Sequence, residues 1–325
     1  MSGPWLPVID GDRMRAVMPP ASAVAAIEAA LRAGLDPAAE PARTIVDLTG
    51  GQLLLMPSES GTRAGVKVVS VAPGNSGRGL PRIQGVYLLL DAATLTPVAL
   101  LDGTTLTALR TPAVSLAAVR PLLLGEGGPL RLAVFGAGPQ AVGHVDALVD
   151  VLRPARQVTS VSYLVRRPGA ATIPDLGGIA TRVLASTGPD ADQAVSDADV
   201  IVCATTAREP LFDGRTVRET AAVIAVGSHE PDAREVDGNL ALRAQVVVED
   251  AGTATREDGD VVLAVAEGSL RPEDLVPMRD VVTGRRALST DRPVLFTSTG
   301  MAWEDLVVAC AVHERWQAAG HAPPA

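Results

Sequence analysis

One residue in 325 is a lysine. It is Lys67, at the centre of GVKVVSV (residues 65–71), and the other 27 of the chain's 28 basic residues are arginines. The two cations differ in chemistry. A desolvated ammonium can have its pKa lowered and can give or take a proton, whereas a guanidinium stays charged. A lysine kept against such a bias is either a group whose proton matters or a side chain that snorkels from an edge strand. Strand alternation sets Lys67 on the same face as Gly65 and Val69, which leaves space beside it for a ligand.

A second chemical signal is LRLAVFGAGPQA, residues 130–141. An apolar strand runs into Gly136-Ala137-Gly138-Pro139-Gln140-Ala141. The first glycine suits a tight turn, the second lets a pyrophosphate approach the backbone, and the small Ala141 allows close helix–strand packing. Pro139 is a good first-turn residue, so the following helix points its N-terminus at the phosphates. Residues 136–140 are therefore the candidate dinucleotide loop, with an ordinary glycine-rich turn as the alternative. NAD-selective folds place an acid at the end of the next strand to bond the ribose 2′-OH. Here that strand ends SYLVRRP, with Arg166 and Arg167 and no acid. Two guanidiniums suit a 2′-phosphate, so NADP(H) is the preferred cofactor and NAD(H) the alternative; solvent-facing loop arginines are the plainer reading. Cys203 and Cys310 sit in apolar surroundings and suggest neither a disulfide nor a metal site. His144 follows the glycine loop as a supporting or surface group, and His313 and His321 lie near the C-terminus. No nucleophile–His–acid set or P-loop stands out.

These groups need elements to hold them. PASAVAAIEAALRAG (residues 20–34) has helical apolar spacing, with Ser22 as a candidate N-cap and Gly34 as a stop. RTIVDLT, GQLLLMP, GVKVVSV and GVYLLLDAATLTPVALLD are strand-like, the last a hairpin around residues 91–97. Hairpins in a row predict an antiparallel sheet. TLTALRTPAVSLAAVRPLL reads as a helix broken near Pro112. From residue 130 the rhythm changes. LRLAVFG, VTSVSYLV, IATRVLA, ADVIVCATT, TAAVIAVGS and RAQVVVED are short β-runs, most of them separated by helix-length segments, the pattern of a doubly wound parallel sheet. MAWEDLVVACAVHERWQAAG is an amphipathic helix outside that rhythm, expected to pack back on the N-terminal part. The expected fold is α/β: a Rossmann-type domain over 116–300 and an antiparallel-sheet α+β domain over 1–115 plus 301–325.

Composition narrows the function classes. Apolar residues are 47% and aromatics 2%, so the core is Val, Leu and Ala. A net charge of −9, with no basic run interleaved with aromatics, argues against nucleic acid. No apolar run reaches membrane-span length, and MSGPWLPVID lacks the basic and apolar regions of a signal peptide. A cytoplasmic protein with a small-molecule substrate, no nucleic acid and no membrane is expected.

The order and spacing of EPARTIV, LLLMPS, GVKVVSV, LPRIQGVYLLLD, LTALRTPAVSLAA, VFGAGPQAVGHVDAL, AVGSHEPDAREVD and FTSTGMAWEDLVVA resemble the ornithine cyclodeaminase/mu-crystallin family over nearly the whole chain. The resemblance implies a homodimer, with the N-terminal half and last helix forming the dimerisation and substrate domain. It implies that Arg43, Lys67 and Arg110 converge on the substrate's α-carboxylate. Arg offers planar bidentate recognition and Lys an exchangeable proton. Alone, Arg43 reads as a loop cation and Arg110 as a helix-surface charge. Thr111, in the same stretch as Arg110, is placed with the cofactor contacts. Asp305 matches a family Asp of the last helix and is expected to cap or orient.

The departures carry the function. Ornithine-cyclising members have an acid two places before their MP pair, where this chain has Leu54. They have an Asp after the fifth strand, where GSHEPDARE puts His229. Both are read as substrate-site positions, His229 as a catalytic group beside Lys67 or as a structural loop histidine. Loss of two acids disfavours a dicationic substrate. The reading is an NADPH-dependent reductase of an α-imino acid, such as 1-pyrroline-2-carboxylate or 1-piperideine-2-carboxylate. The alternatives are a cyclodeaminase-type lyase, an amino-acid dehydrogenase and a non-enzymatic NADPH- and ligand-binding protein. No metal is called for.

Overall fold

Strand-length apolar runs separated by turns become one sheet, and strand–helix alternation becomes another. The computed structural model describes residues 6–125, 127–228 and 230–321. In chain order its elements are β1 (Val8–Ile9), α1 (Gly11–Val17), α2 (Pro20–Arg32), β2 (Thr44–Leu48), β3 (Gly51–Ser60), β4 (Arg63–Val71), β5 (Ile83–Asp91), β6 (Pro97–Asp102) and α3 (Gly103–Leu123). There follow β7 (Leu130–Phe135), α4 (Pro139–Leu152), β8 (Val158–Val165), β9 (Ala180–Ala185), α5 (Pro189–Asp197), β10 (Val200–Cys203), β11 (Ala222–Ala225), α6 (Gly238–Arg243) and β12 (Gln245–Val248). The chain closes with α7 (Ala251–Glu257), α8 (Gly259–Ala266), β13 (Val276–Pro277), α9 (Met278–Val282), β14 (Val294–Thr297) and α10 (Ala302–Trp316). Contacts separate two compact units: residues up to Ala113 with those from Met301 onward, and Val114–Gly300.

The first unit holds a six-stranded sheet, order β1-β6-β5-β4-β3-β2, antiparallel except for β1 beside β6. The hairpin from β5 to β6 turns on Asp91, whose carboxylate accepts from the Thr94 amide (3.0 Å) and hydroxyl (2.8 Å). One face of the sheet buries Met56, Tyr87, Leu89, Ala99 and Leu101, and α10 packs against β3, β4, β5 and α2. The other face carries Val46, Leu53, Leu55, Val66, Val68, Val86, Leu88 and Leu100 by register, none of them buried. Helix α2 buries Ala23, Val24, Ile27 and Leu31, the expected stripe. Its N-cap, however, is Pro19 with Pro20 in the first turn, and Ser22 lies inside the helix. A proline at that position has a preset φ and no amide to satisfy, so no serine cap is needed. Gly34 (φ +107°) does end it, with Leu35 N–H donating to Ala30 C=O (3.1 Å) and Gly34 N–H to Leu31 C=O (3.2 Å).

Helix α3 corrects a second expectation: it runs unbroken through Pro112. Leu106, Ala113, Val114, Leu116 and Ala117 are all buried, and packing on both sides of the proline outweighs one lost backbone hydrogen bond.

The second unit is an eight-stranded parallel sheet, order β13-β12-β14-β11-β10-β7-β8-β9. Its central strands β7, β10, β11, β12 and β14 are flanked by buried Ala and Val, the aromatic-poor core that the composition implies. The strand order reverses at β7, so β7 and β10 form the switch point where a doubly wound sheet opens a crevice. Strand β14 sits in mid-sheet, between β12 and β11. The six expected strands are present, but β13 and β14 are additions that the alternation did not reveal.

Candidate active site

In the first unit the site is built on β4. Register places Lys67 between Met56 of β3 and Tyr87 of β5. The lysine is not a snorkelling edge residue: β4 is interior to the sheet and the side chain is 2% exposed. Gly65 lies two residues back on the same face, and a Cβ there would collide with the Tyr87 hydroxyl. The space the sequence reading left beside Lys67 is thus partly filled by Tyr87. Leu54 faces the same side one row away, opposite Val69 and beside Ile45 of β2. Arg43, half-buried, immediately precedes β2, level with the Met56–Lys67 row.

Lys67 ends in a buried ion-pair network. Its Nζ lies 2.6 Å from Asp305 Oδ2 on α10. Arg110 of α3 sets one guanidinium nitrogen 2.5 Å from Glu304 Oε2 and its Nε 3.5 Å from Asp305 Oδ1. Glu304 Oε1 accepts the Met301 amide at 2.9 Å, capping α10. All four charged side chains are buried. Such charges are tolerable only because they are mutually compensated. Burial pushes the Lys67 ammonium down to about 8; Asp305 pulls it up, and Arg110 pushes it down. Nearby, burial raises the Glu40 carboxyl above the usual carboxylate range. The sequence reading missed Glu304, Tyr87 and Glu40. Two adjacent acids inside the apolar MAWEDLVVACAV were the available signal.

The second unit carries the glycine loop at the end of β7. Gly136 has φ +105°, donates its amide to Leu164 C=O (3.0 Å), and a Cβ there would stand 2.7 Å from the Ala204 carbonyl oxygen. Gly138 is the N-cap of α4, with open space where its Cβ would be, and Pro139 opens the helix. Ala141 is fully buried. Backbone donors at an uncapped helix start, beside a position with room for close approach, fit a dinucleotide pyrophosphate. Arg166 and Arg167 are exposed directly after β8, the strand whose Leu164 holds Gly136.

His144 is fully buried, and so not a surface group. Its Nδ1 meets the Gln140 carbonyl at 2.8 Å and its Nε2 the Ser115 hydroxyl at 2.9 Å. A carbonyl can only accept, so Nδ1 carries the proton, and burial holds the ring neutral by pushing its pKa to about 4. His313 is buried and stacked on Trp316. The side chain of His321, like all of His229, lies outside the described residues. On either side of position 229, Gly227 donates to Glu235 (2.7 Å), while Glu230 and Asp232 both engage Arg208 (2.6 Å each). Glu235 also accepts the Thr205 amide and hydroxyl at 2.7 Å, tying the loops after β10 and β11; burial raises it to about 7. Thr111 is buried on α3 beside Arg110. Cys203 and Cys310 are free thiols. Among the described residues no group of three His, Cys, Asp or Glu is placed to hold a metal ion, and no helix is long and apolar enough to cross a membrane.

The model of the ornithine cyclodeaminase/mu-crystallin family matches residues 15–320. The chain belongs to that family. Among family members, it is 31% identical to mouse ketimine reductase mu-crystallin over 283 residues, 85% of each chain. It is 34% identical to Delta(1)-pyrroline-2-carboxylate reductase 1 of Burkholderia multivorans over 272 residues, 83% of this chain and 82% of that one. Its fold matches Thermococcus litoralis Delta(1)-pyrroline-2-carboxylate reductase, solved with NADH and L-proline, at a TM-score of 0.85 and 27% identity, over 97% of this chain and 98% of that one. Family membership and this fold likeness identify the parallel-sheet unit as Rossmann-type.

Proposed function

We propose that this family member is an NADPH-preferring reductase of α-imino acids of the 1-pyrroline-2-carboxylate or 1-piperideine-2-carboxylate type, yielding the L-amino acid. The observation that carries the reading is the buried pairing of the sole lysine with Arg110 and two acids on one sheet face. The names of the mouse, Burkholderia and Thermococcus relatives support the reaction class. Arg43 and Arg110 hold the substrate carboxylate, and Lys67 holds and polarises it. Lys67 or His229 keeps the imine nitrogen protonated, since an iminium accepts hydride more readily than a neutral imine. A depressed lysine pKa, about 8, suits proton exchange near neutrality. Residues 136–140 and Thr111 hold the cofactor, which supplies the hydride when bound. Arg166 and Arg167 hold a 2′-phosphate. Leu54 and His229, where cyclising members carry acids, favour a less basic substrate than ornithine. The apolar, unburied sheet face from Val46 to Leu100 supports a homodimer formed through that face.

The test is NADPH oxidation with the two cyclic imines and with 2-oxo acids plus ammonia or amines, run beside ammonia release from L-ornithine with catalytic NAD. Imine reduction without ornithine turnover is expected; robust ornithine deamination overturns the reading in favour of the lyase. Arg166→Ala or Arg167→Ala should raise the KM for NADPH and leave that for NADH unchanged, a loss of about 1.5–3 kcal/mol per charged hydrogen bond. Equal kinetics with both cofactors in the unmodified chain would defeat the preference.

A further inference from the structure

Asp305 touches both cations of the site. Oδ2 is 2.6 Å from Lys67 Nζ and Oδ1 is 3.5 Å from Arg110 Nε. It has no exposed surface, so its charge acts without solvent screening. Its position is fixed by its neighbour. Glu304 spends one oxygen on the Met301 amide and the other on Arg110, locking the first turn of α10 against α3. Both acids lie in the first turn of a fifteen-residue helix. The groups facing the Lys67 ammonium are Asp305 and Glu304 from α10, Arg110 from α3 and Tyr87 from β5; its β3 neighbour Met56 does not titrate. Burial and Arg110 both act to strip the lysine of its proton, and Asp305 is the strongest opposing group.

We infer that Asp305 is a positioning residue: it fixes where the Lys67 ammonium sits and keeps it charged for the incoming substrate carboxylate. The acid that matches the family's Asp therefore works through Lys67, while the cap of α10 is made by Glu304. This inference rests on the reading that Lys67 meets the substrate, but its physical content is measurable without substrate.

Because Lys67 is the only lysine, incorporation of lysine 13C-labelled at Cε gives a single side-chain resonance whose shift reports its protonation. In the full-length protein, Asp305→Asn should move the Lys67 midpoint down by about one to three pH units, the effect of losing an adjacent opposite charge. The basic limb of the kcat/KM profile should move down with it, because a rate that needs the ammonium fails as soon as the proton leaves. Asp305→Glu should keep the midpoint but displace the ammonium, lowering kcat/KM by about tenfold or more, the order of loss that small misplacements bring. An unmoved midpoint in folded Asp305→Asn overturns the inference. If that variant does not fold, Asp305→Glu decides, and undiminished kcat/KM overturns it. Should the unmodified chain reduce no imino acid, the functional reading falls, and the Lys67 titration still decides the role of Asp305.

Discussion

A lysine with 2% of its side chain exposed is held by partners, and those partners argue against an arginine in its place. Lys67 ends at Asp305, hemmed by Tyr87 and Arg110. A guanidinium is bulkier, arrives with five donors and gives up no proton at neutral pH. Lys67→Arg should therefore fail almost as badly as Lys67→Ala, each losing about 10²–10⁴-fold in kcat/KM, the usual worth of general acid–base help. NADPH affinity, measured by fluorescence titration, should stay within about twofold, because the glycine loop belongs to the other unit. An arginine variant retaining most of its activity would show that only the positive charge matters. The oddness of Lys67 was legible from a count of residue types. Its partner was not, because 238 positions separate Lys67 from Asp305 and only the packing of α10 on β4 brings them together.

At the scale of the element, the two glycines before α4 have different reasons to be glycine. Gly136 is at φ +105° with no room for a Cβ, whereas Gly138 has open space around it. Gly136→Val should cost fold stability, about 1–3 kcal/mol for strained backbone, and weaken NADPH binding as well. Gly138→Ala should leave the thermal midpoint unchanged and weaken NADPH binding alone, since its methyl would stand where the pyrophosphate approaches. Thermal denaturation beside cofactor titration separates them; identical behaviour of the two variants would remove the distinction. The β–α alternation of this unit was readable because most of its strands are short apolar runs and several lead into a helix. Strand β14 escaped because α9 before it is only five residues long and is followed by an irregular stretch, and VLFT runs directly into STG. Helix α3 was misread at Pro112 because a local rule lost to burial on both flanks.

For the whole molecule, the open sheet face is the feature left to explain. Val66, Val68, Val86 and Leu88 line up across β4 and β5, and none of them is buried by the described residues of their own unit. A second copy laid on that face would bury it isologously. Val86→Arg, with a charge set into the patch, should convert a dimer to a soluble monomer in light scattering; a wild-type chain that is monomeric throughout would refute the face as a dimer contact.

The sequence by itself determined the fold class and the family. Glycine spacing, apolar periodicity and several ordered motifs are local or linear signals that survive without coordinates. It also singled out Lys67, Arg43 and Arg110, though on different grounds: Lys67 by its rarity, the two arginines by family resemblance. Only the tertiary structure decided what surrounds them. Asp305 and Glu304 join the site because α10, the last helix, packs with β4 of the first unit, and burial makes their charges compulsory partners of Lys67 and Arg110. Likewise the sequence left His144 open between a supporting and a surface group, and the structure makes it a neutral, buried link to Ser115. Burial and pairing are properties of three-dimensional neighbours, and residue order carries no direct record of them.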